Sequence, residues 1–302
     1  KIAPKEQIEG LILSVQDSLN KESRNTPVTQ LKTLFSKRFT LVLCVAFAYA
    51  IVQGASGMNA VLFYAPTVFE QIGMSVEDTF MQTVILGLVA VIFTLVAIRF
   101  VEKWGRRNLT LIGLLFISIA HTSIWYGFKS ANYELSQEAI VKIQQSDIDV
   151  TLLQPLVGKT YATDVDLKRE LSAIYSKKDL PLVGGAIINS TISINAFFVL
   201  FGLFAFLAAF NMSIGPVMWV IFSEIFPNNV RSVALPVAAF VQSISSYVIQ
   251  QFFPWQLENL GAANTFLNYG IIAFIGMLVM AKILPETKGK SIEDIERDLV
   301  KA

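Results

Sequence analysis

The chain is 302 residues long, and its 24 Lys and Arg nearly balance its 23 Asp and Glu, so the formal net charge is +1. Charged residues make up only 16% of it, hydrophobic residues reach 54%, and the mean hydropathy is +0.56. This composition excludes a disordered chain and a nucleic-acid binder that relies on bulk positive charge, and it disfavours a soluble enzyme. One Cys and one His exclude a disulfide framework and leave little for a metal centre, so no metal or cofactor is expected.

The segment before the first apolar run is polar and basic, with seven Lys and Arg over residues 1–38. Apolar residues recur in it at intervals of three and four, at Ile8, Leu11, Ile12, Val15 and Leu19 and again at Leu31, Leu34 and Phe35. This spacing predicts short amphipathic helices. We therefore interpret 1–38 as a cytoplasmic helical linker.

Six charge-free runs follow, each long enough to supply the roughly 20 apolar residues needed to cross a ~30 Å hydrocarbon core. They cover 39–69, 79–98, 108–128, 180–223, 232–257 and 259–281. Because lipid offers the backbone no hydrogen-bond partners, these runs are predicted to be helices. The first third of the fourth run is too polar for lipid, so its span is expected near 194–222. The prediction is an all-α membrane protein with six transmembrane helices over 39–284.

Lys and Arg are distributed unevenly among the short connections. They occur at 102–107, at 224–231 and from 282 onward, whereas 66–78 and 254–261 contain none. The positive-inside rule then places both termini, including the tail 285–302, in the cytoplasm. The long connection 129–180 is a poor topology signal. Helical patterns at Glu134–Gln145 and Val165–Tyr175 predict a small structured insertion there.

The first span contains residues that do not suit a plain lipid-facing helix. Gln53, Gly54, Gly57 and Asn59 lie in its middle, and Pro66 follows them. Glycines loosen a helix and Pro removes a backbone donor, and transporters use such breaks to expose polar groups to substrate. Packing of small residues against another helix, with the amides bonding across the interface, explains the pattern equally well.

Further polar signals occur in the later spans. Gly215-Pro216 predicts a second break, and Trp219 lies about a turn inside its run, which favours stacking on a ligand over a place in the interfacial aromatic belt. Gln242 in the fifth span needs a polar partner. His121 and Cys44 are interpreted as a satisfied structural group and a small core residue.

Charged motifs gather at the ends predicted to be cytoplasmic. They are Glu102-Lys103-Trp104-Gly105-Arg106-Arg107, Ser223-Glu224-Ile225-Phe226-Pro227 with Arg231, and Pro285-Glu286-Thr287-Lys288-Gly289-Lys290. Carboxylates beside Arg at a low-dielectric boundary form charge-assisted pairs that can hold one conformation. Simple positive-inside anchoring is the alternative for each motif taken alone.

Taken in order, these motifs resemble the sugar porter family of the major facilitator superfamily. The matching elements are Gln53 with Gly57-Met58-Asn59, Phe63-Tyr64 and Pro66, Glu102 to Arg107, Gly215-Pro216-Val217-Met218-Trp219, Ser223 to Pro227 with Arg231, and Pro285-Glu286-Thr287-Lys288-Gly289. The resemblance covers nearly the whole chain except 129–180. It implies half of a major facilitator fold, built of three plus three helices in inverted repeats. The chain is expected to be the C-terminal half, with six further helices as its partner.

The resemblance also implies a function, namely alternating-access transport of a monosaccharide across the inner (plasma) membrane by cation-coupled symport, with no enzymatic activity. The implied sugar-contacting residues are Gln53, Asn59, Phe210, Gly215, Trp219 and Gln242. Phe63 and Tyr64 match the extracellular gate pair, usually two Tyr. The implied salt-bridge network of the outward-facing state is Glu102, Arg106, Arg107, Glu224, Arg231 and Glu286.

Two positions depart from the family pattern. Gly54 stands where a second Gln is common, and Ala90 stands where the second span commonly offers an Asn to the sugar. Sugar preference or affinity is therefore expected to differ, and Gly54→Gln is expected to alter selectivity. The amides of Gln53 and Asn59 are expected to be unpaired.

Two other function classes stay open. A polytopic membrane enzyme would need charged or His-rich catalytic clusters at a membrane face. A truncated, non-transporting binding module would carry the same site without the partner half.

Overall fold

The computed structural model of the protein describes residues 26–72, 74, 76–146, 148–176 and 178–299. The helix predicted over the apolar repeat at 8–19 lies outside these residues. The second repeat forms α1 (Pro27–Leu34), whose first turn is capped by the Thr26 hydroxyl. A short 3-10 turn then leads into the first span.

The remaining elements follow in chain order. They are α2 (Thr40–Ala55), α3 (Met58–Gln71), α4 (Val76–Trp104), α5 (Arg106–Lys129), β1 (Asn132–Glu134), α6 (Gln137–Gln145), β2 (Thr160–Tyr161), α7 (Asp164–Ile174), α8 (Leu180–Thr191), β3 (Ile192–Ser193), α9 (Ala196–Met212), α10 (Ile214–Ile225), α11 (Asn228–Asn259), α12 (Gly261–Ile283) and α13 (Ile292–Leu299). Among the described residues, six segments are long and apolar enough to cross a membrane. They are α2 with α3, α4, α5, α9 with α10, α11 and α12, so the six predicted spans are confirmed.

The first span is broken between α2 and α3. Gly57 joins them with φ at +86°, in the left-handed region that favours glycine. The break therefore falls between Gln53 and Asn59, as the two glycines predict. Pro66 lies inside α3 without ending it.

The second break lies at Ser213, between α9 and α10, where φ is −132° and ψ is −101°. The sequence predicts it two residues later, at Gly215-Pro216. Pro216 falls instead in the first turn of α10, where a backbone N–H has no intrahelical acceptor and a proline costs little. The predicted position of the break was therefore wrong by about half a turn.

The centre of the bundle is α5, which packs along α9 and α12, while α2 packs along α11. These contacts depend on glycine. A Cβ at Gly113 of α5 would overlap the Ser213 side chain, and one at Gly202 of α9 would overlap Ile124 of α5. Close approach through small residues is the usual way in which membrane helices pack, because lipid supplies no hydrophobic drive between them.

Cys44 is exposed, so its interpretation as a core residue was wrong. The buried face of α2 is formed by Val42, Val45, Ala46 and Tyr49. These positions recur at the helical spacing of three and four, and residue 44 lies off that stripe.

The connection between α5 and α9 is structured, and it continues past the expected bound at 180 as far as β3. Its strands form an antiparallel sheet in the order β2-β1-β3. Of its helices, α8 packs on β1, α7 packs on β2 and α6 packs on α8. It has an apolar core of its own, formed by Ala131, Tyr133, Leu135, Ile140, Ile143, Leu153, Leu156, Leu167, Leu171, Ile187 and Ile188. Burial, with the Asp164 carboxylate nearby, raises the pKa of the Tyr133 phenol. The polar third of the fourth run is α8 and belongs to this insertion.

A partly buried ion pair docks the insertion where α11 ends and α12 begins. The Lys168 ammonium lies 2.8 Å from the Asp164 carboxylate and donates a second hydrogen bond to the Leu257 carbonyl at 3.1 Å. The Asp164 carboxylate also lies against Gly261, where a Cβ would meet Oδ1 at 2.6 Å. The first residue of α12 is therefore held against the insertion.

Lys168→Met is expected to loosen this docking. It leaves the buried Asp164 carboxylate unpaired and removes the bond to Leu257, a loss of about 2 kcal/mol for a hydrogen bond to a charged group. Amide hydrogen exchange over 257–261 should accelerate by about tenfold or more. Lys159→Met is the matched control, because Lys159 pairs with Glu170 at 3.7 Å with both side chains about half exposed. Equal exchange in the two variants would show that the pair does not hold the insertion.

Candidate functional site

The amides of the first break meet α11. Gln242 Nε2 of α11 donates to Gln53 Oε1 of α2 at 2.9 Å. One turn further along α11, the Ser246 hydroxyl accepts a hydrogen bond from Asn59 Nδ2 of α3. Three of the six predicted sugar contacts, on α2, α3 and α11, therefore lie around one helix break.

The expectation that the amides of Gln53 and Asn59 are unpaired was wrong. Each has a side-chain partner on α11, because a half-buried amide that leaves a hydrogen bond unmade costs about 1–3 kcal/mol. The pairing uses only part of their capacity. After donating to Gln53, Gln242 keeps its carbonyl oxygen as an acceptor, and Gln53 keeps both amide hydrogens as donors.

Gly54 does not face this polar group. Gly54 is buried, and a Cβ there would lie 2.8 Å from the Ser245 Cβ and 3.0 Å from the backbone carbonyl oxygen of Gln242. The Ser245 hydroxyl donates to the Ile51 carbonyl at 3.1 Å across the same contact. Gly54 thus lies at a close contact between α2 and α11, and the altered selectivity expected of Gly54→Gln stays a prediction to be tested against this packing.

The other three predicted sugar contacts lie at the second break. A Cβ at Gly215 would come within 2.8 Å of the Phe210 ring, so glycine allows that ring to fold against the start of α10. Phe210 is buried beside Phe206. Trp219 is 47% exposed and meets Phe222 edge-on, with the ring centroids 6.0 Å apart. Trp219 is therefore the aromatic face of this group that is open to a ligand.

The two breaks belong to helices that touch each other. Tyr49 of α2 meets Phe222 of α10 edge-on at 6.2 Å, and its hydroxyl bonds to the Thr110 hydroxyl of α5 at 2.7 Å. The second departure from the family pattern, Ala90, has its carbonyl oxygen bound by Thr94, whose hydroxyl lies 3.4 Å from Asn211. Asn211 thus places an amide beside Thr94 of α4, one turn after Ala90.

The two residues of the predicted gate pair, Phe63 and Tyr64, have different surroundings. Tyr64 stacks on Phe253 of α11, with ring centroids 5.2 Å apart and planes 30° apart. Phe63 is 73% exposed. The two neighbours therefore point in different directions, and Tyr64 is the one that joins α3 to α11.

Arg106 is the centre of the charged cluster at the basic end of the bundle, the end where α4, α5 and α10 meet. Its Nη2 lies 2.7 Å from both Glu102 Oε1 and Glu224 Oε1, and its Nε donates to the same Glu224 oxygen at 3.2 Å. Glu224 Oε2 accepts from the Thr287 hydroxyl at 2.6 Å. The side chain of Arg106 is 9% exposed and that of Glu224 is 21% exposed. The cluster ties three helix ends to the segment after α12.

Glu286 acts at this end through the backbone rather than through an Arg side chain. Its two carboxylate oxygens accept from the backbone N–H groups of Arg106 and Arg107, at 3.0 and 3.2 Å. It therefore caps α5, where free N–H groups and the helix dipole favour an anion. Gly105, at φ +85°, leaves room for the carboxylate.

The other two arginines of the predicted network make no ion pair with any described residue. Arg107 Nη2 donates to the Ala281 carbonyl at 2.6 Å. Arg231 Nε donates to the Phe226 carbonyl at 2.9 Å, and its buried Nη2 has no partner among the described residues. Both guanidinium groups instead donate to backbone carbonyls near helix ends. Whether an arginine pairs with a carboxylate or with a carbonyl depends on distances between helices, which a sequence motif does not contain.

A model of the family described as Sugar (and other) transporter matches residues 2–142 and 180–299. The chain belongs to this family. The match leaves out 143–179, so the middle of the insertion is not part of the sugar transporter family's common sequence. The six spans and the broken helices form half of a major facilitator fold, as the resemblance implies.

Several relatives in the sugar transporter family have assigned substrates. The arabinose-proton symporter of Bacillus subtilis is 27% identical over 288 residues, which cover 95% of this chain and 48% of that protein. The D-xylose-proton symporter of Escherichia coli is 30% identical over 261 residues, covering 84% and 40%. A solved proton:xylose symporter bound to 6-bromo-6-deoxy-D-glucose superposes with a TM-score of 0.60 at 28% identity, covering 85% of this chain and 42% of that one. The chain spans less than half the length of these relatives.

Proposed function

We propose that this chain forms one half of a monosaccharide transporter that works by alternating access. The observation that carries the proposal is the amide group of Gln53, Gln242 and Asn59, set at a helix break inside an apolar six-span bundle. The relatives named for arabinose and xylose transport support it, and the family match favours a transporter over a membrane enzyme.

The amide group suits a sugar because hydroxyls both donate and accept hydrogen bonds. Gln53 offers donors and Gln242 offers an acceptor in addition to their mutual bond. Trp219 adds an open aromatic face for the C–H side of a sugar ring. Phe210 and Gly215 pack against each other at the start of α10, the helix that carries Trp219. They act on the sugar by positioning the Trp219 ring.

The proposal includes a second six-helix half and an ion. The charge-free runs of this chain hold no Asp or Glu, so a proton relay would need a carboxylate outside them. We assign coupling by a cation to the complete transporter, as in the symporters named above. The basic end, with Arg106 and Glu224, is assigned to the cytoplasm and the insertion to the outside of the inner (plasma) membrane.

Uptake by the intact protein in proteoliposomes tests this function. The labelled sugars are D-xylose, L-arabinose and D-glucose, each with and without an inward proton or sodium gradient. Saturable uptake of one or more of them, increased by one gradient, is the expected result. Uptake equal to that of empty liposomes for all three would contradict the proposal, and uptake that neither gradient changes would remove the coupling.

Gln53→Ala and Gln242→Ala are each expected to raise the Kd for sugar about tenfold, since each removes a direct sugar hydrogen bond and leaves the other amide unpaired. Because the two amides also bond to each other, the double variant should bind worse by less than the roughly hundredfold factor that independent effects would give. Isothermal titration with the transported sugar measures this. Gln251→Ala, on the exposed side of α11, is the matched control. An unchanged Kd in the well-folded single variants would remove these residues from the site.

A further inference from the structure

A side chain of another helix bonds to the backbone of the first span at the helix break. The Ser56 N–H and hydroxyl both bond to the Gln53 carbonyl, and the Gly57 carbonyl accepts from the Val61 N–H at 2.8 Å. The Ser56 carbonyl is bound from another helix. His121 Nε2 of α5 lies 3.2 Å from it. A carbonyl oxygen can only accept, so the proton of this ring must be on Nε2.

His121 is held firmly in this position. It is fully buried, and its ring lies 4.4 Å from the Phe206 ring and about 6 Å from those of Phe266 and Tyr269, measured between centroids. Its Nδ1 has no partner among the described residues. The bond to Ser56 is therefore the one polar contact that the described residues give this imidazole.

Tyr269, one of the rings next to His121, also packs against the break. A Cβ at Gly57 would lie 3.2 Å from the Tyr269 ring, and the Tyr269 hydroxyl donates to Gln256 at 2.8 Å, which fixes that ring. The break is thus held by a packing contact at Gly57 and by a hydrogen bond at Ser56. Of these two contacts, the hydrogen bond from His121 is the one that depends on direction.

We propose that His121 is a positioning residue for sugar binding, acting through the Ser56 carbonyl. Gln53 lies three residues before Ser56 and Asn59 three residues after it, on helices whose angle depends on the break. Without the hydrogen bond from Nε2, the Ser56 carbonyl must bond to another donor, and the angle between α2 and α3 changes. A displacement of about 1 Å between binding groups is enough for a large loss of function. This inference rests on the proposed function for its sugar readout.

The test compares variants of the intact protein with and without a donor at the position of Nε2. His121→Gln places an amide N–H at similar reach, whereas His121→Phe keeps the ring and loses the donor, and His121→Met fills the space flexibly without one. Ser118→Ala is the matched control, because the Ser118 hydroxyl bonds Gly270 across α5 and α12 without touching the break.

Two readouts separate positioning from stability. Amide hydrogen exchange over 58–61 is measured without sugar, and Kd is measured by titration with D-xylose and with D-glucose. The Phe and Met variants are expected to exchange at least tenfold faster there and to bind about tenfold more weakly. The Gln variant should stay within about threefold of the parent in both, and Ser118→Ala should leave both unchanged.

Three results would overturn the inference. Unchanged exchange and Kd in the Phe and Met variants would show that the bond positions nothing, and an equal effect in Ser118→Ala would show general loss of packing. Failure of both donor-free variants to fold would make His121 a structural residue. A parent that binds neither sugar refutes the proposed function for these sugars instead, and the exchange readout then decides the inference alone.

Discussion

Glu224→Gln is expected to slow sugar transport about tenfold while changing equilibrium sugar binding by less than about twofold. The Arg106 guanidinium is nearly buried and pairs with the carboxylates of Glu224 and Glu102. A neutral amide at 224 removes one of these two negative charges. A loss of about 1.4 kcal/mol in the state that the cluster closes shifts the ratio of conformers tenfold. Arg106→Lys should act in the same direction, because an ammonium cannot reproduce the fork that reaches both carboxylates.

Initial uptake rate and sugar Kd are measured on the same preparation of the intact protein. In a Cys44→Ala background, Val220→Cys next to Trp219 reports access from the basic end, and Glu224→Gln should increase its labelling from that side. Glu258→Gln is the matched control, since it makes the same charge change on an exposed side chain near the other end of α11. If the Glu224→Gln variant keeps the parent's uptake rate and the parent's cysteine labelling, the charged cluster does not control the conformation and only anchors the topology.

Gly54→Gln is expected to disrupt the packing of α2 against α11, with most of the sugar binding lost. A Cβ there would already lie 2.8 Å from Ser245 and 3.0 Å from a backbone oxygen of Gln242, which cannot move aside as a flexible side chain can. Overpacking of this kind costs about 1–3 kcal/mol or more. The fraction of monodisperse protein after heating and the Kd for sugar measure the loss.

A smaller substitution checks the cause. Gly54→Ala should lower the melting temperature, whereas Gly87→Ala, with nothing within 4 Å of its Cβ position, should leave it unchanged or raise it. A stable Gly54→Gln protein with a new sugar preference would show that position 54 faces the sugar after all.

The sequence was sufficient to predict the spans, because a 20-residue run without charge has few alternatives to a membrane helix. It also predicted the break at Gly57, where two glycines coincide with polar amides. The second break was displaced to Ser213 because the missing N–H of Pro216 costs nothing in a first turn. The dipeptide Gly215-Pro216 fits either the break of a helix or the first turn of a new one, so the sequence alone does not distinguish them.

The partners within the site could not be predicted, because they depend on distances between helices. Ser246 follows Gln242 by one turn, and its pairing with Asn59 becomes visible only when α11 is placed against the break. Thr287 stands in a recognised motif, but its bond to Glu224 requires the segment after α12 to return to the end of α10. His121 was interpreted as a satisfied structural group, and nothing near it in sequence points to Ser56.

The most direct measurement of the central claim is counterflow in proteoliposomes that contain the intact protein. Liposomes loaded with unlabelled D-xylose or D-glucose are diluted into a trace of the same labelled sugar, with no ion gradient. An alternating-access carrier is predicted to accumulate the label transiently above its equilibrium level, and Gln53→Ala should lower that peak. Binding of sugar by well-folded protein without any such overshoot, for either sugar, would contradict transport and leave a binding module.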